Sequence, residues 1–153
     1  MSVINDGVTI LPVHECWDLL GGLTLGRLVT SVDGQPEIFP VNYAVQRRTI
    51  VFRTAEGTKL VSTAINHRVL FEVDDHDAVE GWSVIVKGTA RSLRTYEEIE
   101  DAERAQVLPW TASEKSHYVR IIPQVVTGRR FQFGSHRPQP HLPGIAEPGS
   151  GER

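Results

Sequence analysis

Thiols are almost absent from this chain: Cys16 is its single cysteine. One cysteine excludes an internal disulfide framework and a metal site built on paired thiolates, and it fits a reducing compartment. Long apolar runs are missing too. No stretch approaches the roughly 20 residues a membrane helix needs, and the opening MSVINDGVTILPVHE has no basic segment followed by an apolar core. The expectation is a cytoplasmic protein with no membrane contact. Nor does one sign of charge prevail. Sixteen basic side chains against 19 acidic ones give a net charge of −3 with both signs interspersed. No global field recruits nucleic acid, so any anion site must be local. The six histidines form no HxxxH or HExxH pair, and no metal is expected. A Ser-His-Asp or Cys-His assembly is missing as well; Cys16 falls on the apolar stripe of a predicted helix, as a small buried hydrophobe does.

At 153 residues with 40% hydrophobic content, the chain suits one domain with a modest core. Val13, Cys16, Trp17, Leu19 and Leu20 recur at helical spacing over residues 12–20, and Gly21-Gly22 supplies a stop. Residues 25–32 and 37–45 read as two strands joined at the hairpin signal Asp33-Gly34, and residues 49–54 (TIVFRT) follow a polar turn as a third. Leu60, Val61, Ala64 and Ile65 form a helical stripe with Thr58 near its N-cap. Strands are predicted over residues 69–73 and 82–93, separated by the charged loop 74–77, with a bend or bulge at Gly88. Thr95 and Glu98 match a capping box that opens a helix running to about Val107. Two further strands, 117–122 and 125–133, are separated by Pro123. The segment SHRPQPHLPGIAEPGSGER is too proline-rich and apolar-poor to pack. The predicted organisation is therefore a domain over residues 1–134 and a disordered tail over 135–153. About seven mostly hairpin-connected strands with three short helices favour a mainly β, antiparallel barrel over a parallel α/β sheet.

The most informative stretch is residues 50–60, where a strand ends in Arg53 and Thr54, a glycine turn follows, and a helix opens with Thr58 and Lys59. Free N–H groups and two cations at a helix start suit a phosphate. Spacing alone leaves a second reading open, in which Arg53 and Lys59 are solvated charges flanking an ordinary N-cap.

The run FRTAEGTK at residues 52–59 resembles the segment of pyridoxamine 5'-phosphate oxidase-like flavoproteins in which a strand, a threonine and a Gly-Ser/Thr-Arg/Lys turn hold the FMN phosphate. Residues 26–30 (GRLVT) and 36–43 (PEIFPVNY) are similar to the first hairpin of that family, whose second strand lines the flavin ring. Residues 81–88 (GWSVIVKG) resemble its long strand, with Ser83 at the place of a flavin contact, and residues 123–131 resemble the closing strand of short actinobacterial-type members. The resemblance implies a Greek-key split β-barrel of six to seven strands, acting as a homodimer that completes the flavin site. It implies FMN, or alternatively a deazaflavin coenzyme, and a small planar acceptor. The implied cofactor-binding residues are Pro40, Val41, Asn42, Tyr43, Arg53, Thr54, Gly57, Thr58, Lys59, Trp82, Ser83 and Arg129. Trp82 reads as core or dimer packing ahead of a ligand contact, since large aromatics dominate interfaces whether or not a ligand is present. Arg129 and Arg130 face opposite sides of a strand, so at most one points at a given site, with Arg129 preferred. The substrate-gripping C-terminal segment of the true oxidases has no counterpart after Phe133. The implied activity is thus flavin oxidoreduction other than pyridoxamine phosphate oxidation, with a non-catalytic flavin-binding protein and a cofactor-free interaction module as rivals.

Overall fold

The computed structural model describes residues 2–5, 7–55, 57–108 and 117–134. In chain order these form β1 (Ser2–Asn5), β2 (Val8–Leu11), α1 (Val13–Gly21), β3 (Leu25–Val32), β4 (Gln35–Gln46), β5 (Thr49–Thr54), α2 (Lys59–Ala64), β6 (Arg68–His76), β7 (Glu80–Ser92), α3 (Tyr96–Glu103) and β8 (His117–Gln132). The strands follow the order β1-β2-β8-β5-β4-β3-β6-β7, and a further pairing of β7 with β8 closes the last six into a barrel. Every strand pair is antiparallel. The architecture is the expected antiparallel split barrel with short helices, extended by the hairpin β1–β2 on β8.

Turn chemistry sets the local pairings. Asp33 and Gly34 both adopt positive φ, 51° and 74°, as a two-residue hairpin turn requires. Arg47 and Arg48 do the same between β4 and β5 without a glycine. Alternation then sorts the side chains: Leu28, Val41, Tyr43, Phe52, Phe71, Val84, Val86 and Val119 fill the barrel, joined by Cys16, Trp17 and Leu20 from α1 and Leu60 and Ala64 from α2. A smaller cluster of Val51, Leu93, Ala102, Val107 and Tyr118 sits outside the barrel, under α3. The capping box at Thr95 and Glu98 forms as read from the sequence.

Four expectations need correcting. Pro123 does not split the last strand: β8 continues through it, because the β7–β8 register shifts there and Pro123 stands opposite Gly88, where no ladder N–H is needed. A Cβ on Gly88 would lie 2.2 Å from the Ile122 carbonyl oxygen, so the two backbones approach at the bulge as only glycine allows. Asp74, Asp75 and His76 belong to β6, paired with Ser83, Trp82 and Gly81; the turn proper is held by Asp77, whose carboxylate accepts from the N–H groups of Val79 and Glu80. Helix α3 ends at Glu103, several residues before Val107, and β1–β2 is an element that the periodicity did not reveal. Residues 135–153, expected as a tail, lie outside the described residues. Among the described residues no helix is long and apolar enough to cross a membrane.

Candidate functional site

The end of β5 and the start of α2 meet at one mouth of the barrel. Alternation turns the Thr54 side chain inward, where it is 2% exposed. Gly57 takes φ +76°, and among the described residues nothing beyond its chain neighbours lies within 4 Å of where its Cβ would stand, so the turn is open to them on that side. Thr58 caps α2, its hydroxyl accepting from the Val61 N–H at 3.4 Å, and the hydroxyls of Thr54 and Thr58 are themselves 3.4 Å apart. Lys59 opens the helix and pairs at 2.5 Å with Glu37 of β4; its side chain remains 69% exposed. The polar rim continues beyond the residues singled out from sequence. His117 is the register partner of Thr54, and its Nε2 lies 2.8 Å from the Ser92 hydroxyl.

Arg53 does not join this mouth. It neighbours Thr54 in sequence, so its side chain leaves the opposite face of β5. There its guanidinium lies 5.2 Å from the centroid of the Tyr118 ring, and Nη1 donates to the Val107 carbonyl at 3.1 Å. Arg53 therefore fastens the segment after α3 to the outside of the barrel, and Lys59 is the cation that the turn itself presents.

The same alternation divides the remaining residues. Val41 and Tyr43 point into the core; the Tyr43 hydroxyl donates to the Leu20 carbonyl at 2.6 Å, and burial pushes its pKa up. Pro40 and Asn42 face outward, and Asn42 lines a recess of about 240 Å³ with Thr24, Gln106 and Leu108. On β7, Trp82 packs half-buried against the core while Ser83 faces out and donates to Glu72 at 3.3 Å. Arg129, exposed, stands beside Ser83 in register. Arg130 stands beside Trp82 and is held by Glu15 at 3.2 Å and Glu80 at 3.4 Å. The structure thus gathers Thr54, Gly57, Thr58 and Lys59, keeps Ser83 and Arg129 together on the outer sheet, and places Pro40 and Asn42 on the outer face of β4.

An acidic pair on that outer sheet was not anticipated. Arg27 of β3 donates to Glu72 at 2.5 Å and also to Asp74, both on β6. Burial, reinforced by Asp74, pushes the Glu72 carboxyl above its ordinary range, while the hydrogen bond from Glu72 holds Asp74 below its own. Strand alternation alone puts Glu72 and Asp74 on one face; their meeting with Arg27 depends on the β3–β6 register, which no hairpin fixes.

Comparison with known proteins bears on the family and the fold. An uncharacterized protein of Mycobacterium tuberculosis is 58% identical over 90 residues, covering 59% of this chain and 82% of the relative. The fold is similar to that of the FAD binding protein from Mycobacterium smegmatis, with a TM-score of 0.75 and 57% identity, covering 82% of this chain and 99% of that one. A FAD-binding protein from Mesorhizobium loti aligns with a TM-score of 0.66 and 25% identity, covering 80% and 97%. A family model described as pyridoxamine 5'-phosphate oxidase matches residues 12–130, from the start of α1 almost to the end of β8, and the chain belongs to that family.

Proposed function

We propose that this protein binds a flavin nucleotide through the phosphate nearest the ring system and serves as a flavin-dependent oxidoreductase. The observation that carries this reading is the turn at residues 54–59. Two hydroxyls 3.4 Å apart adjoin an exposed lysine, and the open Gly57 leaves room for a phosphate oxygen. In this reading Thr54 and Thr58 donate to phosphate oxygens, and Lys59 neutralises their charge while loosening its contact with Glu37. Arg53 acts indirectly, by holding Val107. The bound flavin would supply transfer of a hydride or electron pair; the chain supplies binding, orientation and exclusion of water.

FMN and FAD share the phosphate in question. The FAD held by the M. smegmatis relative, 57% identical to this chain, favours the dinucleotide over the FMN expected from the sequence. A homodimer in the cytoplasm is part of the proposal. Its support is the apolar exposure around Asn42, where Leu25, the register partner of Asn42, is 55% exposed and Leu108 of the same recess 63%.

The test is an absorbance spectrum of the purified protein, the mass of any chromophore released on denaturation, and titration of the apoprotein with FAD, FMN and a deazaflavin coenzyme. A yellow protein releasing FAD or FMN is expected. Thr54→Val with Lys59→Ala should weaken binding at least tenfold, since hydrogen bonds to charged groups are worth roughly 1.5–3 kcal/mol each. A colourless protein that no flavin titrates would overturn the reading. Turnover of nitro or quinone acceptors separates an oxidoreductase from a flavin carrier.

A further inference from the structure

The outer face of the sheet carries a second recess, which shares no residue with the turn at residues 54–59. Val29, Leu70, Lys87 and Val125 stand in register across β3, β6, β7 and β8, one straight row of outward side chains. Together with Arg68 and Gln124 they line a groove of about 410 Å³. Its shape comes from the backbone. At the bulge Lys87 pairs with Val125 and Gly88 with Pro123, so Gln124 is the extra residue on β8 and turns out beside Lys87.

Its charge sets the groove apart. Arg27, Arg47, Lys59, Arg91, Arg104, Arg120 and Arg130 each contact a carboxylate. Arg48, Arg68, Lys87, Arg94 and Arg129 have no such contact among the described residues, and of these Arg68 and Lys87 share one recess, whose described lining holds no aspartate or glutamate. The nearest acid on the same face, Glu72, is occupied by Arg27 and Ser83. Because Leu70 pairs with Lys87 and Arg68 with Thr89, the two cations are diagonal neighbours, on the order of 7–8 Å apart at their bases. Between them lies an apolar floor: Leu70 is 38% exposed and Val125 50%. On a chain of net charge −3 this is a local excess of positive charge over hydrocarbon. An amphipathic anion complements both features, its apolar body lying on Val29, Leu70 and Val125 and its head group bridging the two cations. A volume near the low end of ligand pockets, roughly 300–1,000 Å³, fits one small molecule better than a peptide.

We propose that this groove is a binding site for a small amphipathic carboxylate, an aliphatic or aromatic acid, separate from the flavin turn. The head group meets Arg68 and Lys87, with the Gln124 amide as a further donor.

The test uses the full chain, with decanoate as the probe and decanol as its uncharged counterpart, both below the concentration at which they aggregate, followed by calorimetry. One equivalent of decanoate should bind at least tenfold more tightly than decanol. Arg68→Gln with Lys87→Gln should lose tenfold or more, whereas Arg68→Lys with Lys87→Arg should retain binding. Equal affinity for acid and alcohol, or full binding by the glutamine variant, would overturn the proposal. So would failure of decanoate to bind while Leu70→Asp splits a dimer in sedimentation, which would make the groove a contact between copies. Flavin content of the glutamine variant is measured in parallel. Unchanged content is expected, and its loss would place the flavin in the groove and refute a separate site. A wild-type chain that binds decanoate but no flavin would sink only the flavin reading.

Discussion

Thr58 uses one hydroxyl for two tasks, capping α2 through the Val61 N–H and facing Thr54 across the turn. Thr58→Ala should therefore cost about 1 kcal/mol of stability through the lost cap and also weaken flavin binding, while Thr58→Ser should restore both. Urea denaturation and flavin titration on the same preparations check the two effects. Lys59 invites the opposite experiment. Glu37 holds its ammonium in a pair that is largely exposed on the lysine side, and such pairs are worth up to about 1 kcal/mol. Removing the competitor with Glu37→Gln should raise flavin affinity by no more than about fivefold. A decrease on titration would mean that Glu37 orients Lys59 instead of competing for it.

At the scale of elements, α3 shows how a surface helix is held in place. Asp101 meets Arg47, and also Arg120 at 3.4 Å, while Arg120 donates to Thr49 at 2.7 Å and to Gln46 at 3.2 Å. The hydrogen bond from Arg47 is the main force holding the Asp101 carboxyl below its ordinary 3.8. A depressed carboxylate stabilises the fold above its unfolded value, and that contribution disappears as pH falls through the lower folded value. Asp101→Asn should therefore be less stable than the parent at neutral pH, with the difference shrinking steadily once the pH drops below 3.8; denaturant midpoints across that range test it. The helix itself was legible, because Thr95 and Glu98 advertise its start within four residues. So was the hairpin at Asp33 and Gly34, for the same reason: both signals are local. What stayed hidden was long-range or face-dependent. The β8 strand runs through Pro123 only because Gly88, 35 positions away, accepts it at a bulge. The run at residues 52–59 is contiguous in sequence, but alternation sends Arg53 and Thr54 to opposite sides of β5, and Arg53 meets Tyr118 and Val107 there. Thr58 and Lys59 stay together at the turn because a helix start, unlike a strand, presents consecutive residues on one side.

For the whole molecule, barrel closure by β7 against β8 leaves the inward residues with a complete core, so features left outside the barrel must answer to something else. Around Asn42 those features are apolar. Leu25 and Leu108 are among the more exposed large hydrophobic side chains, and they border the outward face of β4 that the family resemblance assigns to the flavin. An isolated exposed leucine is unremarkable, but two beside the same recess suit a surface covered by a second copy. Leu25→Asp tests this with little risk to the fold, because surface substitutions usually change stability by no more than about 0.5 kcal/mol. The parent chain should sediment as a dimer; the variant should shift toward monomer at the same concentration and lose flavin in parallel, if the second copy completes the site. A parent chain that is monomeric with flavin bound would remove the dimer from the proposal and leave the turn at residues 54–59 to hold the cofactor within one subunit.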